Sequence, residues 1–89
     1  MPRVIIPPPF QGPTRGQGEL KVEGRTIREC LGAVEAEHAG FLAQVLREDG
    51  TLQRFAKLFV NQEQVGAESL DRALGIDDEV EILAAIAGG

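Results

Sequence analysis

One helix is written plainly into this chain, and it limits the fold to a sheet with that helix laid upon it. Thr26-Ile-Arg-Glu29 is a capping box, in which the Thr26 hydroxyl serves the third helical amide while Glu29 reaches back to the cap. Ile27, Cys30, Leu31 and Val34 follow at i, i+3, i+4 and i+7, a single apolar stripe, and Gly40 supplies a stop. The spacing predicts a helix from about Ile27 to about Glu37. With 89 residues the chain can bury one modest core and no second one. The expectation is a single α+β domain.

The remaining apolar residues are spaced for strands. Arg3-Val-Ile-Ile6 is short and β-branched, and Pro7-Pro8-Pro9 closes it by removing three backbone donors. Glu19-Leu-Lys-Val-Glu23 alternates with a period of two, and the Gly- and Pro-rich stretch from Phe10 to Gly18 makes the two a hairpin. Arg54 to Val60 reads as a further strand that turns at Asn61, and Gln64 and Val65 add a very short one. Phe41, Leu42, Val45 and Leu46 suggest a helical turn before Glu48-Asp-Gly50. Leu70, Leu74 and Ile76 are expected to pack a second helical turn over the core, and Asp77-Asp78 turns the chain into a last strand, Glu79 to Leu83. The domain is thus expected over 1–83, with a tail over 84–89.

Composition removes several classes of function. A formal charge of −5 leaves no cluster of Lys and Arg for a phosphate backbone, so nucleic acid is not expected as a partner. No apolar run approaches the roughly 20 residues that span a bilayer. No secretory signal is seen at Met-Pro-Arg-Val-Ile-Ile-Pro, and a single cysteine fits a cytosolic, disulfide-free protein. Cys30 lies in the helix stripe without a neighbouring base, which reads as a small buried hydrophobe rather than a nucleophile. His38, the lone histidine, has no second ligand at metal-site spacing and sits where it can serve the last helical carbonyls. No catalytic constellation and no metal site are expected, and the chain is not read as an enzyme.

The chemistry is instead expected at the end of the chain. Gly88-Gly89 follows the last strand through Ala84 to Ala87, and residues without side chains can enter a channel too narrow for any other. The carboxylate of Gly89 becomes a candidate reacting group. A terminal Gly pair arises by chance in roughly one chain in 200, so context has to decide.

That context is a hairpin, a capped helix, Arg54-Phe55 through Val60-Asn61, and Asp78-Glu79-Val80 leading to Ala87-Gly88-Gly89. Together these resemble the ubiquitin-like β-grasp sulfur carriers: the small subunit of molybdopterin synthase, the thiamine sulfur carrier, and the carriers of cysteine or methionine synthesis. Arg54-Phe55 through Val60-Asn61 and the loop at Glu48-Asp49-Gly50 look closer to the amino-acid carriers than to the shorter molybdopterin subunit. The resemblance implies a mixed sheet on one main helix with a flexible C-terminal tail. It also implies that a ubiquitin-activating-type enzyme adenylates Gly89 with ATP, no cofactor being bound by the carrier itself. A thiocarboxylate then forms there and gives its sulfur to a biosynthetic enzyme. Gly88 and Ala87 would thread the partner's channel. Many such carriers have proline before the tail, where this chain has Leu83-Ala84-Ala85, which implies a less stiff exit.

Strand parity adds a docking surface. Val80 and Ile82 are assigned to the helix side, with Ala56, Leu58 and Val60 beside them, so Glu81, Leu83, Phe55 and Phe59 point outward. Phe59 and Leu83 would form an apolar patch by the tail, where ubiquitin-like folds meet activating enzymes, with Phe55 part of the same partner surface. Two other readings share the adenylate or the fold: a modifier joined to lysines through Gly89, and the small subunit of a molybdopterin synthase.

Overall fold

The computed structural model describes residues 1–85. Five strands, β1 (Arg3–Ile5), β2 (Glu19–Lys21), β3 (Ala56–Val60), β4 (Glu63–Val65) and β5 (Glu79–Ala84), form one sheet in the order β2-β1-β5-β3-β4. The β1–β5 pair is parallel and the others antiparallel. The mixed sheet carries α1 (Ile27–Glu37) on one face, with the short α2 (Leu42–Val45) beyond it. This is the ubiquitin-like β-grasp that the resemblance implied.

The core is built from the predicted stripe and the predicted parity. Ile27, Cys30, Leu31 and Val34 of α1 are buried against Val4, Ala56, Leu58, Val60, Val80 and Ile82 of the sheet. Thr26 accepts the Glu29 amide at 3.0 Å, but the Glu29 carboxylate takes the amide of Arg25 at 2.9 Å, one residue beyond the cap expected for it. Gly24 lies so near the helix that a Cβ there would stand 2.8 Å from both the backbone N and the Sγ of Cys30. Burial, with the Glu29 charge adding to it, pushes the Cys30 thiol up. At the other end, the backbone N–H of His38, rather than its ring, bonds the Val34 carbonyl, and Gly40 makes the stop at φ +100°.

Several boundaries move. β1 stops at Ile5, β2 at Lys21, and β3 begins at Ala56 rather than Arg54. β5 runs on to Ala84, which places that residue in the sheet. The larger correction concerns Ile76, which is 72% exposed instead of packed over the core. Ala67–Ser69 makes a 3₁₀ turn there that buries Leu70, and Leu74 packs half-buried against the core, while Ala73 bridges to Thr26 at the start of α1. The Leu70 carbonyl accepts the Arg28 amide at 2.9 Å, and Leu74 donates to the Arg25 carbonyl at 2.8 Å. The helical turn thus forms with Leu70 and Leu74 on the core as expected, and the Arg28 amide at the start of α1 takes the carbonyl at its end, beyond which Ile76 is left outside.

Arg28 completes the clamp. Its guanidinium donates to both Asp71 carboxylate oxygens, at 2.8 and 3.2 Å, and to the Gly50 carbonyl at 2.8 Å. The Glu48-Asp-Gly50 turn is thereby tied to α1.

Candidate functional site

The end of β5 is positioned by its pairing with β3 and by the residue that precedes β3. β5 is the middle strand, bonded to β1 on one side and β3 on the other. At its far end, Ala84 pairs with Ala56, and the Ala85 amide donates to the Phe55 carbonyl at 2.6 Å. Because β1 runs parallel to β5, the Pro7-Pro8-Pro9-Phe10 segment emerges at this same end. Phe10 folds into the core through a 3₁₀ turn. Its ring meets Phe55 edge to face, with centroids 6.3 Å apart and planes at 65°, a favoured aromatic geometry. The exit of the chain is therefore framed by Phe55, Phe10 and Leu83.

The start of β5 is fixed by Asn61 and Asp78. Asn61 and Gln62 have φ of 51° and 70° and form a two-residue turn of the primed kind between β3 and β4. The Asn61 side chain donates to Asp78 at 3.0 Å and accepts the Glu79 amide at 3.0 Å, while Asp78 also accepts the Gly75 amide at 2.7 Å. The Asn61 amide, then the Gly75 N–H, hold the Asp78 carboxyl below the usual carboxylate range. This explains the aspartate at position 78, whose carboxylate is held by the side chain of Asn61 in the turn after β3.

The outward face holds the predicted partner residues in part. Leu83 is 37% and Phe55 46% exposed, whereas Phe59 lies half-buried. Phe59 stands opposite Glu81, and Leu83, two residues on, stands opposite Lys57, so the two apolar side chains are diagonal neighbours. Ile5 lies opposite Glu81 from the other side and widens the apolar strip. Its place was hidden in the sequence because Val4-Ile5-Ile6 has no polar residue to reveal the alternation. Phe10 was likewise missed, since nothing local to a Pro-rich turn signals an aromatic partner 45 positions away. Charges frame the strip: Arg3 sits between Glu79 at 3.2 Å and Glu19 at 3.8 Å.

Gly89, Gly88 and Ala87 lie outside the described residues. Among the described residues, no three His, Cys, Asp or Glu side chains gather where they could hold a metal ion. None of the helices described there is long and apolar enough to cross a membrane.

The pattern of the ThiS family matches residues 13–89, which takes in the helix, β3, β5 and the terminal glycines. The chain belongs to the ThiS family. A protein of Archaeoglobus fulgidus, named as a candidate sulfur carrier protein, is 32% identical over 76 residues, covering 82% of this chain and 86% of that one. Among solved structures, a chain in the Amycolatopsis orientalis BexX/CysO complex is 34% identical with a TM-score of 0.88, each chain covered over its whole length. Mycobacterium tuberculosis CysO, described as an antigen, is 29% identical with a TM-score of 0.87, covering 97% of this chain and 100% of that one. Haloferax volcanii SAMP1, at 20% identity and TM-score 0.76, over 99% of this chain and 98% of that one, shares the fold.

Proposed function

We propose that this chain is a sulfur carrier whose Gly89 carboxylate is adenylated by a ubiquitin-activating-type enzyme and then converted to a thiocarboxylate. The observation that carries the reading is the central strand β5, bonded on both sides and ending at Ala84, five residues before Gly89, in a chain whose family match runs to residue 89. The protein acts as a substrate of other enzymes, not as a catalyst.

A carboxylate is a poor electrophile. Its oxygen attacks the α-phosphorus of ATP on the partner, pyrophosphate leaves, and the acyl-adenylate now carries AMP as a good leaving group. A donor supplies sulfur at the oxidation level of sulfide, which attacks the Gly89 carbonyl carbon and displaces AMP. The resulting thioacid is ionised at neutral pH and so is a ready nucleophile for a biosynthetic acceptor. Gly88 and Ala87 keep the approach narrow, and Leu83, Phe59 and Phe55 meet the activating enzyme. The 34% identical chain found with BexX, in the BexX/CysO structure, supports a carrier that works inside an assembly.

Intact mass after co-expression with candidate activating enzymes tests the reading. One oxygen replaced by sulfur at Gly89 is the expected outcome. Gly-Gly remnants on cellular lysines without any thioacid would assign the chain to protein modification instead.

A further inference from the structure

We infer that Phe10 is a positioning residue for the chain terminus, holding through Phe55 the point at which the last strand leaves the domain; its functional half rests on the carrier reading above. Phe10 is 5% exposed and anchored in the core, while Phe55 is 46% exposed and precedes β3 by one residue. The Phe55 backbone lies in a turn closed by the Ala56 amide on the Gln53 carbonyl at 3.1 Å, and the packing of its side chain adds to what fixes that turn against the sheet. Here the buried ring of Phe10 supplies an edge-to-face contact, and the Phe55 carbonyl is left aimed at the Ala85 amide, 2.6 Å away. Ala85 lies beyond the last ladder pair, Ala56 with Ala84, so this bond is what continues the course of β5. Phe10 itself is held by its own segment. Its amide donates to the Pro7 carbonyl at 2.9 Å, and the Gln11 side chain returns to the Ile6 carbonyl at 2.7 Å. The segment that follows β1 thus bears on the end of β5 through Phe55. A tail whose root has a fixed direction loses less conformational entropy on entering a partner, so the contact should show in affinity more than in turnover.

The test combines backbone amide exchange by NMR with steady-state adenylation, on the full chain, for wild type, Phe10→Leu, Phe55→Leu and Phe55→Tyr. Phe10→Leu keeps an apolar group in the core but lacks the ring edge. It should speed exchange of the Ala85 amide about tenfold while the β3–β5 ladder amides are unchanged. KM for the carrier should rise about 3- to 10-fold with kcat within about twofold. Phe55→Tyr keeps the ring, and with it the contact to Phe10, so its Ala85 amide should exchange as in wild type. Should Phe10→Leu fail to fold, Phe55→Leu removes the same contact from the half-exposed side. Unchanged Ala85 exchange in both leucine variants overturns the proposal, as does an unchanged KM once that protection is lost. If exchange responds as expected but wild type is never thiocarboxylated, the support of the exit stands and the carrier reading alone falls.

Discussion

Replacing Asn61 by alanine should destabilise the domain out of proportion to the size of an exposed side chain. Two hydrogen bonds disappear, to Asp78 and from the Glu79 amide, each contributing about 0.5–1.5 kcal/mol net, toward the low end at this exposure. Alanine must also hold φ near 51°, a region asparagine tolerates better, which adds about 0.5–1 kcal/mol. The sum is about 1.5–3 kcal/mol. For a domain of this size that lowers Tm by roughly 10–20 °C. Asn61→Gly restores the backbone freedom without the bonds and should fall between alanine and wild type. Asn61→Asp keeps the acceptor for Glu79 but sets a second carboxylate beside Asp78, so it should recover stability as pH falls and that pair is protonated. In wild type the sign is opposite: Asp78 has a depressed folded-state pKa, so its contribution is present above about pH 4 and is lost as pH falls through the folded value. Urea unfolding at neutral and acid pH measures all four proteins. The reasoning is refuted if Asn61→Ala unfolds within about 0.5 kcal/mol of wild type, or if glycine is no better than alanine.

Gln62→Gly should raise stability by about 0.5–1 kcal/mol, because glutamine at φ 70° is strained where glycine is not; an unchanged or lower urea midpoint would contradict the turn assignment. Gly24→Ala should cost about 1–3 kcal/mol, since the new methyl meets Cys30 backbone that cannot swing aside, and calorimetry reads the loss directly. Gly88→Val is expected to fold normally yet escape adenylation, as a side chain there blocks a narrow channel; normal turnover by the activating enzyme would rule that out. Phe59→Ala, with the fold confirmed by circular dichroism, should weaken binding to the activating enzyme, and unchanged affinity would mean the docking patch is misassigned.

Local signals in the sequence carried most of the architecture. The capping box and the 3.6-residue stripe place α1 at Ile27–Glu37, where the structure has it, and strand alternation set which faces of β3 and β5 are buried. Both are short-range patterns whose physical cause lies within a few residues. What failed was long-range. Ile76 looked like core because Leu70 and Leu74 precede it at near-helical spacing, but the Leu70 carbonyl is tied to the Arg28 amide and the Leu74 amide to the Arg25 carbonyl, and beyond those bonds Ile76 is exposed. Phe10 gave no sign of its role, because the parallel pairing of β1 with β5, which brings it to the chain exit, is a property of topology. The candidate site was legible as residue types, Leu83, Phe59 and Phe55, but the exposure of each depended on neighbours from other strands.

The place of β5 bears on how such a chain can surrender its end to a partner. Edge strands bond on one side and fray at little cost, whereas β5 is bonded by β1 over Glu79 to Glu81 and by β3 from Val80 to Ala84. Tension on the tail would therefore meet two ladders, the Ala85 bond to Phe55, and the Asn61 and Asp78 contacts at the opposite end of the strand. The helix closes one face of the sheet, which leaves the face with Leu83, Phe59 and Ile5 open beside the exit. A partner that grips the terminus from that side can load it without unfolding the domain. On this argument, weakening the distant anchor with Asn61→Gly should lower stability yet leave thiocarboxylation of the folded fraction intact, since about 17 Å of strand separates that turn from Ala84.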